Sequence, residues 1–287
     1  MSETPAPPTA QSAAGRRSWA DLGPRLASAA VLLAITAVSL VVGGYIFAVV
    51  VGLVFAGTYR EWEQMVTLKP LTPIGIILIV LVGLSPIAYP WLGAFGTMGV
   101  VTLGAIIALV TNREAALWRV GGLLFFGAVI ASIMAIRGTT NDGILAGVFI
   151  GTVIWSTDTG AFFTGRQVGG EKLAPDISPG KTWSGAIGGL AVGTLLGLIF
   201  WLIFAHSPWW IGLLISAGLS VLGQIGDLTE SAVKRRFRVK DSGDIIPGHG
   251  GLMDRLDSVT FGLLASFLIG GLHGGFAAPA AGLMFWQ

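Results

Sequence analysis

The apolar residues of this chain fall into long stretches that contain no charged residue. Three stretches are long enough for two membrane-crossing helices each, because one crossing of about 30 Å of hydrocarbon takes roughly 20 apolar residues. They comprise residues 27–58, 71–111 and 182–226. Each stretch contains a predicted break. Gly43-Gly44 would separate the first and second spans, Pro90 the third and fourth, and His206–Pro208 the seventh and eighth.

Shorter apolar stretches predict three more spans. The fifth covers residues 120–136, the sixth covers residues 143–163 around an isolated Asp158, and the ninth begins near Ser258. The predicted fold class is therefore all-α: a polytopic integral membrane helical bundle with about nine transmembrane helices.

The polar segments suggest how the chain is organised. Residues 1–25 are rich in Pro, Ala and Ser and predict a disordered N-terminal tail. Residues 26–142 would hold about five transmembrane helices. Residues 143–287 would form a second helical region that carries two polar loops, residues 164–182 and 227–257.

Composition excludes several other classes of protein. Hydrophobic residues make up 53% of the chain and charged residues only 11%, against about 25% charged residues in soluble domains. An ordinary soluble enzyme and a disordered protein are therefore excluded, and the absence of cysteine excludes a disulfide-built domain. The formal net charge of +2 reflects 17 basic and 15 acidic residues, so we expect no nucleic-acid partner.

The few basic residues are distributed unevenly between the two predicted sides of the membrane. With nine spans, 16 of the 17 Lys and Arg residues lie on one side and Arg137 lies alone on the other. Basic residues concentrate in cytoplasmic connections. We therefore expect a cytoplasmic N-terminus and an extracytoplasmic C-terminus.

Nine of the 15 acidic residues lie between Asp158 and Asp257, in connections that also hold many basic residues. Ordinary salt bridges in solvated loops are one interpretation, and a site for a metal and an anionic substrate is the other. Carboxylates near a bilayer are costly unless they serve such a site or face water. If the eighth helix continues past the apolar stretch, one of its faces presents Asp227, Glu230, Ser231 and Lys234.

A glycine-rich segment, Gly248-His249-Gly250-Gly251, precedes Asp254 and Asp257. Glycines let backbone amides approach a phosphate closely, and two carboxylates three residues apart can share a cation. Oxygen ligands without cysteine or a histidine cluster favour Mg²⁺ over zinc. His249 could contact a phosphate or make a structural hydrogen bond.

Residues 231–257, SAVKRRFRVKDSGDIIPGHGGLMDRLD, resemble the signature of the phosphatidate cytidylyltransferases, or CDP-diacylglycerol synthases. An upstream segment, residues 158–182, resembles the same family's D-x-x-A-[YF]-x-x-G-R and K-L-x-P-x-I-S-P-x-K-T pattern. The resemblance covers about residues 150–275. Three positions depart from residues that are common in the family, a Tyr, a Lys and a Glu: Phe162, Gly180 and Ser184.

The resemblance implies the reaction of CTP with phosphatidate to give CDP-diacylglycerol and pyrophosphate. It implies Mg²⁺ on Asp227 and Asp254, and a second cation or a supporting role for Asp257. Lys234 would act beside these three carboxylates in catalysis. Residues implied to bind the substrates are Arg235, Arg255, His249, Gly250, Gly251, Lys181, Arg166, Ser231, Lys240 and Asp241.

The resemblance also implies a homodimer in the bacterial cytoplasmic (inner) membrane, with the active site on the cytoplasmic face. Two alternatives remain open. One is a cytidylyltransferase for another lipid phosphate, such as a polyprenol or ether-lipid phosphate. The other is an ion-coupled transporter, which would place carboxylates near mid-span, whereas those between Asp158 and Asp257, Asp158 excepted, lie in connections.

Overall fold

The computed structural model describes residues 22–111, 115–245 and 250–287, and within these residues the chain is a helical bundle. The longer helices are α1 (Leu22–Val42), α2 (Gly44–Thr67), α3 (Pro73–Leu84), α4 (Tyr89–Thr111), α5 (Ala116–Arg137), α6 (Asn141–Val168), α7 (Trp183–Phe204), α8 (Trp209–Arg236) and α9 (Asp257–Gly274). A short helix, α10 (Pro279–Met284), follows. Helix α1 begins inside the segment predicted as a tail, and residues 1–21 lie outside the described part of the chain.

Six helical stretches of the described chain are long and apolar enough to cross a membrane. They are α2, α5, α6, α7, α8 and residues 73–111, which contain both α3 and α4. The all-α membrane bundle predicted from the sequence is therefore confirmed. The number of nine crossings, which also needs α1 and α9, stays a prediction.

The break predicted at Pro90 lies elsewhere. The chain is interrupted by a 3-10 turn at Ser85–Ala88 and again at Gly93, where φ is +59°. Pro90 is the second residue of α4, where a helix tolerates proline because the amide there has no intrahelical partner. Thr72 starts α3, since its hydroxyl accepts a hydrogen bond from Gly75 N at 3.1 Å.

Both predicted polar loops are shorter than expected. Helix α8 continues to Arg236, and the basic residues of its last turn are favourable at a helix C-terminus. Helix α6 continues to Val168, and an antiparallel hairpin of β1 (Lys172–Ala174) and β2 (Ser178–Thr182) follows it. At the end of β2, the Thr182 hydroxyl accepts a hydrogen bond from Gly185 N and so caps α7.

Two apolar clusters form the interior of the part of the chain that the structure describes. The first lies among α2, α3, α4 and α5 and includes Phe55, Tyr59 and Phe126. The second lies among α5, α6, α7, α8 and α10 and includes Phe149 and Trp201.

Helices α6 and α7 pack very closely because glycines recur at every fourth position of α7. A Cβ atom on Gly189 would lie 2.7 Å from the carbonyl oxygen of Thr157. Small residues permit this close approach of helices in membranes.

The isolated basic residue Arg137 caps helix ends. Its guanidinium donates from Nη2 to Val41 O at 3.0 Å, from Nη1 to Gly138 O at 3.1 Å, and from Nε to Leu40 O. The last carbonyl groups of α1 have no partner within that helix. Arg137 supplies donors to them, which explains a buried cation at this end of the bundle.

Candidate active site

A cavity of about 650 Å³ with charged side chains in its wall opens at the end of the bundle opposite Arg137. It lies between α6, α7, α8, the hairpin and a 3-10 turn at Met253–Arg255. Its described lining contains both acidic and basic side chains, namely Asp158, Arg166, Lys181, Asp227, Asp254, Arg255 and Asp257. The structure therefore brings together six residues predicted for the site, and it adds Asp158.

Asp227 faces this cavity from α8. Its Oδ2 atom lies 2.6 Å from Lys181 Nζ, and its Oδ1 atom accepts a hydrogen bond from Ser231 Oγ at 3.5 Å. Lys181 belongs to β2, so the hairpin delivers this cation to the helix. Ser231 lies one helical turn after Asp227, and the predicted helical face is confirmed at this pair.

Asp254 is held by three donors. Lys234 Nζ donates to Oδ1 at 2.5 Å, and the backbone amides of Ser242 and Gly251 donate to Oδ2 at 3.1 and 3.2 Å. Burial raises the pKa of the Asp254 carboxyl, but the hydrogen bond and charge of Lys234 outweigh it, and the pKa lies below its ordinary value. Asp254 is therefore ionised at neutral pH.

Lys234 lies between two carboxylates. Besides its bond to Asp254, its Nζ atom lies 3.1 Å from Glu230 Oε1, and only 12% of its side chain is exposed. In this arrangement its single positive charge is shared between Glu230 and Asp254. Its predicted part in catalysis stays a prediction.

Asp257 is the first residue of α9 and is linked to α6 through Ser258. Its Oδ1 atom accepts a hydrogen bond from Ser258 N at 2.7 Å, and Ser258 Oγ donates to Asp158 Oδ1 at 3.3 Å. Asp158, Asp227 and Asp257 all line the cavity, where negative charges on the three would repel one another. A bound cation would relieve that repulsion.

The donor set of the cavity agrees with Mg²⁺ that arrives with a substrate. In the described part of the chain, no three Asp, Glu, His or Cys side chains are arranged to hold a metal ion by themselves. Mg²⁺ is commonly held by one or two carboxylates together with substrate phosphates and water. Asp227 and Asp254 on the cavity wall fit that pattern.

Several predicted binding residues have other contacts. Arg235 is exposed and donates from Nε to Ile177 O and from Nη1 to Val239 O, each at 3.1 Å, so it joins the hairpin turn to the end of α8. The amide of Gly251 donates its hydrogen bond to Asp254 Oδ2. Lys240, Asp241 and Gly250 are absent from the described lining of the cavity. His249 lies outside the described residues.

Glu61, near the end of α2, is a residue that the sequence analysis missed. It is 1% exposed and accepts hydrogen bonds from Ser242 Oγ at 3.0 Å, Leu252 N at 2.9 Å and Met253 N at 2.8 Å. The resemblance starts near residue 150, so it gave no reason to select this position. Glu61 could have been selected from the sequence because it lies at the end of a long uncharged stretch, where a carboxylate is costly unless it has a function.

A second cavity of about 190 Å³ adjoins the first. Its wall is mostly apolar and aromatic and includes Trp62, Phe126 and Phe261. Asp257 lines both cavities. A polar space and an apolar space therefore meet at this carboxylate.

A bundle of apolar helices with a cavity of carboxylates, lysine and arginines at one end defines an integral membrane protein with a charged cavity. The chain belongs to the cytidylyltransferase family, because the model of that family matches residues 24–272. The family resemblance predicted from the motifs is thereby confirmed.

Individual relatives carry a more specific name. A phosphatidate cytidylyltransferase of Brucella suis is 43% identical over 188 residues, which are 65% of this chain and 68% of that protein. One of Staphylococcus epidermidis is 34% identical over 245 residues, 83% of this chain and 94% of the relative. One of Bacillus subtilis is 45% identical over 139 residues, 48% of this chain and 52% of the relative.

Proposed function

We propose that this protein is a phosphatidate cytidylyltransferase, which makes CDP-diacylglycerol and pyrophosphate from CTP and phosphatidate. One observation carries the proposal. Asp227 and Asp254 share a cavity with Lys181, Arg166 and Arg255 at the end of an apolar bundle, in a chain whose relatives bear this enzyme's name.

The reaction joins two anions. An oxygen of the phosphatidate phosphate attacks the α-phosphorus of CTP, and the bond from that phosphorus to the bridging oxygen of the β-phosphate breaks as pyrophosphate leaves. The attacking oxygen is already anionic, so no general base is required. Neutralising the repulsion between the phosphates is the main task of the site.

Basic side chains of the cavity are suited to that task. Arg166 and Arg255 line the wall and have the planar fork that binds phosphate oxygens in pairs, while Lys181 offers a compact charge. Lys181 also holds the Asp227 carboxylate, and Lys234 holds that of Asp254.

Mg²⁺ is the cofactor that we propose. Held by Asp227 and Asp254, it would supply charge neutralisation and Lewis-acid activation of the triphosphate. Asp158 and Asp257 add negative charge to the same wall, which favours cation binding and leaves a second cation as a prediction.

The lipid substrate is supported by the apolar cavity next to the polar one. A phosphate in the first cavity would keep its apolar portion near the second cavity or the surrounding hydrocarbon. We place the site at the cytoplasmic face of a bacterial inner membrane, where CTP is available and where the basic connections belong. The homodimer stays a prediction.

Purified protein in mixed micelles with labelled CTP and Mg²⁺ tests the proposal. Phosphatidate, a polyprenyl phosphate and an ether-lipid phosphate are compared as acceptors. We expect labelled CDP-diacylglycerol and stoichiometric pyrophosphate with phosphatidate. Faster labelling of either other lipid would move the assignment to that substrate, and failure to label any lipid would contradict the proposed activity.

A further inference from the structure

We propose that Glu61 is a positioning residue, which fixes the segment that presents Asp254 to the cavity. The inference rests on the proposed function in one respect, the role of Asp254 toward Mg²⁺. Glu61 belongs to α2, far in sequence from the family motif, and is absent from the described lining of the cavity.

The first step is the number of bonds to this carboxylate. Both oxygens of Glu61 are used: Oε1 accepts from Leu252 N, and Oε2 accepts from Met253 N and Ser242 Oγ. A buried carboxylate is stable only when its hydrogen bonds are satisfied. Hydrogen bonds to a charged acceptor are about twice as strong as neutral ones. Glu61 therefore fastens this segment at three points.

The second step is the link from those points to Asp254. Leu252 and Met253 immediately precede Asp254, and their amides stand at the start of its 3-10 turn. Ser242 joins the two carboxylates, because its hydroxyl donates to Glu61 and its amide donates to Asp254. Displacing the Glu61 carboxylate would therefore displace Asp254 in two ways, through the backbone of Leu252 and Met253 and through Ser242.

The third step is the space around the Glu61 carboxylate. A Cβ atom on Gly243 would lie 2.7 Å from Glu61 Oε1. One on Gly251 would lie 2.9 Å from Glu61 Oε2 and 2.9 Å from Asp254 Oδ2. Glycine at position 251 of the motif therefore leaves room for two carboxylates, and its predicted phosphate contact stays a prediction.

The neighbouring residue Glu63 supplies a matched control. It lies on the same helix, is equally buried at 1% exposure, and pairs with Arg119, whose Nε atom donates to it at 3.0 Å. Glu61→Gln and Glu63→Gln each remove one buried negative charge from α2. Only the first changes a carboxylate that contacts the Asp254 segment.

The activity test titrates MgCl₂ at saturating CTP and phosphatidate. We expect Glu61→Gln to raise the Mg²⁺ concentration for half-maximal rate about 10- to 100-fold, as loss of a partner behind a metal ligand typically does. Glu63→Gln should leave that concentration within about twofold while lowering thermal stability. Ser242→Ala, which removes one of the three bonds, should shift it in the same direction by less.

A second readout needs no activity. Trypsin can cleave after Arg238 and Lys240, just before the fastened segment, and also in the hairpin after Lys172. We expect faster cleavage after Arg238 and Lys240 in Glu61→Gln, with unchanged cleavage after Lys172. Glu63→Gln should match the wild type at these sites under conditions where both proteins are folded.

The outcomes separate this inference from the proposed function. An inactive wild type would contradict the function, while proteolysis would still test the fastening by Glu61. A Glu61→Gln variant with normal Mg²⁺ dependence and normal cleavage would overturn the inference. If that variant does not fold, the same two measurements on Ser242→Ala decide the matter, and wild-type values in both would overturn the inference.

Discussion

Lys181 Nζ and Asp227 Oδ2 lie 2.6 Å apart, and this ion pair joins the β-hairpin to helix α8 at the cavity wall. About a quarter to a third of each side chain remains accessible, 27% for Lys181 and 30% for Asp227. The pair is therefore open to a ligand. A lysine in this position can exchange its carboxylate contact for a phosphate and leave Asp227 to a cation.

Replacing Lys181 by Met should lower kcat/KM for CTP by about 100-fold, equivalent to about 2.7 kcal/mol of transition-state stabilisation. The change removes the proposed phosphate-binding charge and leaves Asp227 without its cationic partner. Steady-state kinetics with varied CTP measures the effect. Lys172→Met is the matched control, because Lys172 is an exposed residue of the other hairpin strand. Equal losses in both variants would argue against this role.

Asp254→Asn and Asp227→Asn should each reduce kcat by at least about 100-fold, since each removes a proposed anionic ligand for Mg²⁺ without changing the shape of the side chain. Initial rates at saturating substrates and high Mg²⁺ test this. Asp176→Asn changes an exposed carboxylate of the hairpin turn and should have a milder effect. More than a tenth of wild-type activity in Asp254→Asn would contradict the metal assignment.

Lys234→Arg should lower kcat about 10-fold or more, because a planar guanidinium cannot replace a compact ammonium that lies between Glu230 and Asp254. Arg236→Lys, an exposed change on the same helical turn, should stay near the wild type. Rates normalised to folded protein distinguish the two. If both variants keep the wild-type rate, Lys234 serves only as one of the positive charges that orient the protein in the membrane.

Arg235→Lys tests a different contact. Lysine cannot reproduce the pair of bonds to Ile177 O and Val239 O. We expect a higher KM for CTP, by about threefold, because the hairpin that carries Lys181 would be less well fixed; loss of one such bond costs about 1 kcal/mol. An unchanged KM would show that this connection has no influence on the cavity.

Gly180→Lys should lower KM for CTP by about two- to fivefold. A Cβ atom at this position meets nothing within 4 Å, and Gly180 lines the cavity, so a longer side chain fits and brings a second cation beside Lys181. An exposed charge pair contributes up to about 1 kcal/mol. Gly180→Gln, of similar length but neutral, is the control. The same KM in both variants would exclude an electrostatic benefit.

The bundle and much of the cavity could be predicted from local sequence features. Uncharged stretches identify helices in a membrane because no other regular segment satisfies its backbone there. The face of α8 could be predicted because Asp227 and Ser231 are one helical turn apart, and the observed hydrogen bond confirms it. Both depend on residues that are near in sequence.

Features that depend on contacts between residues far apart in the sequence could not be predicted from it. Glu61 contacts Leu252 across most of the chain, and no local pattern indicates such a contact. The strand Ser178–Thr182 has no alternating apolar residues, so its own sequence does not predict a strand. It is held by pairing with β1 and by a hydrogen bond that Trp183 N donates to Glu171 O at 3.0 Å. Proline at position 90 indicated a break, but the fold bends at Gly93, where a positive φ requires glycine.

The close glycine contact between α6 and α7 lies next to the cavity. Thr157 packs against Gly189 and Gly193, and the next residue of α6 is Asp158 on the cavity wall. A methyl group added at Gly193 would overlap Thr157 Oγ1 and push the two helices apart. Uncharged substitutions at these glycines would therefore displace Asp158 and change the rate of nucleotide transfer, although the glycines themselves are absent from the described lining of the cavity.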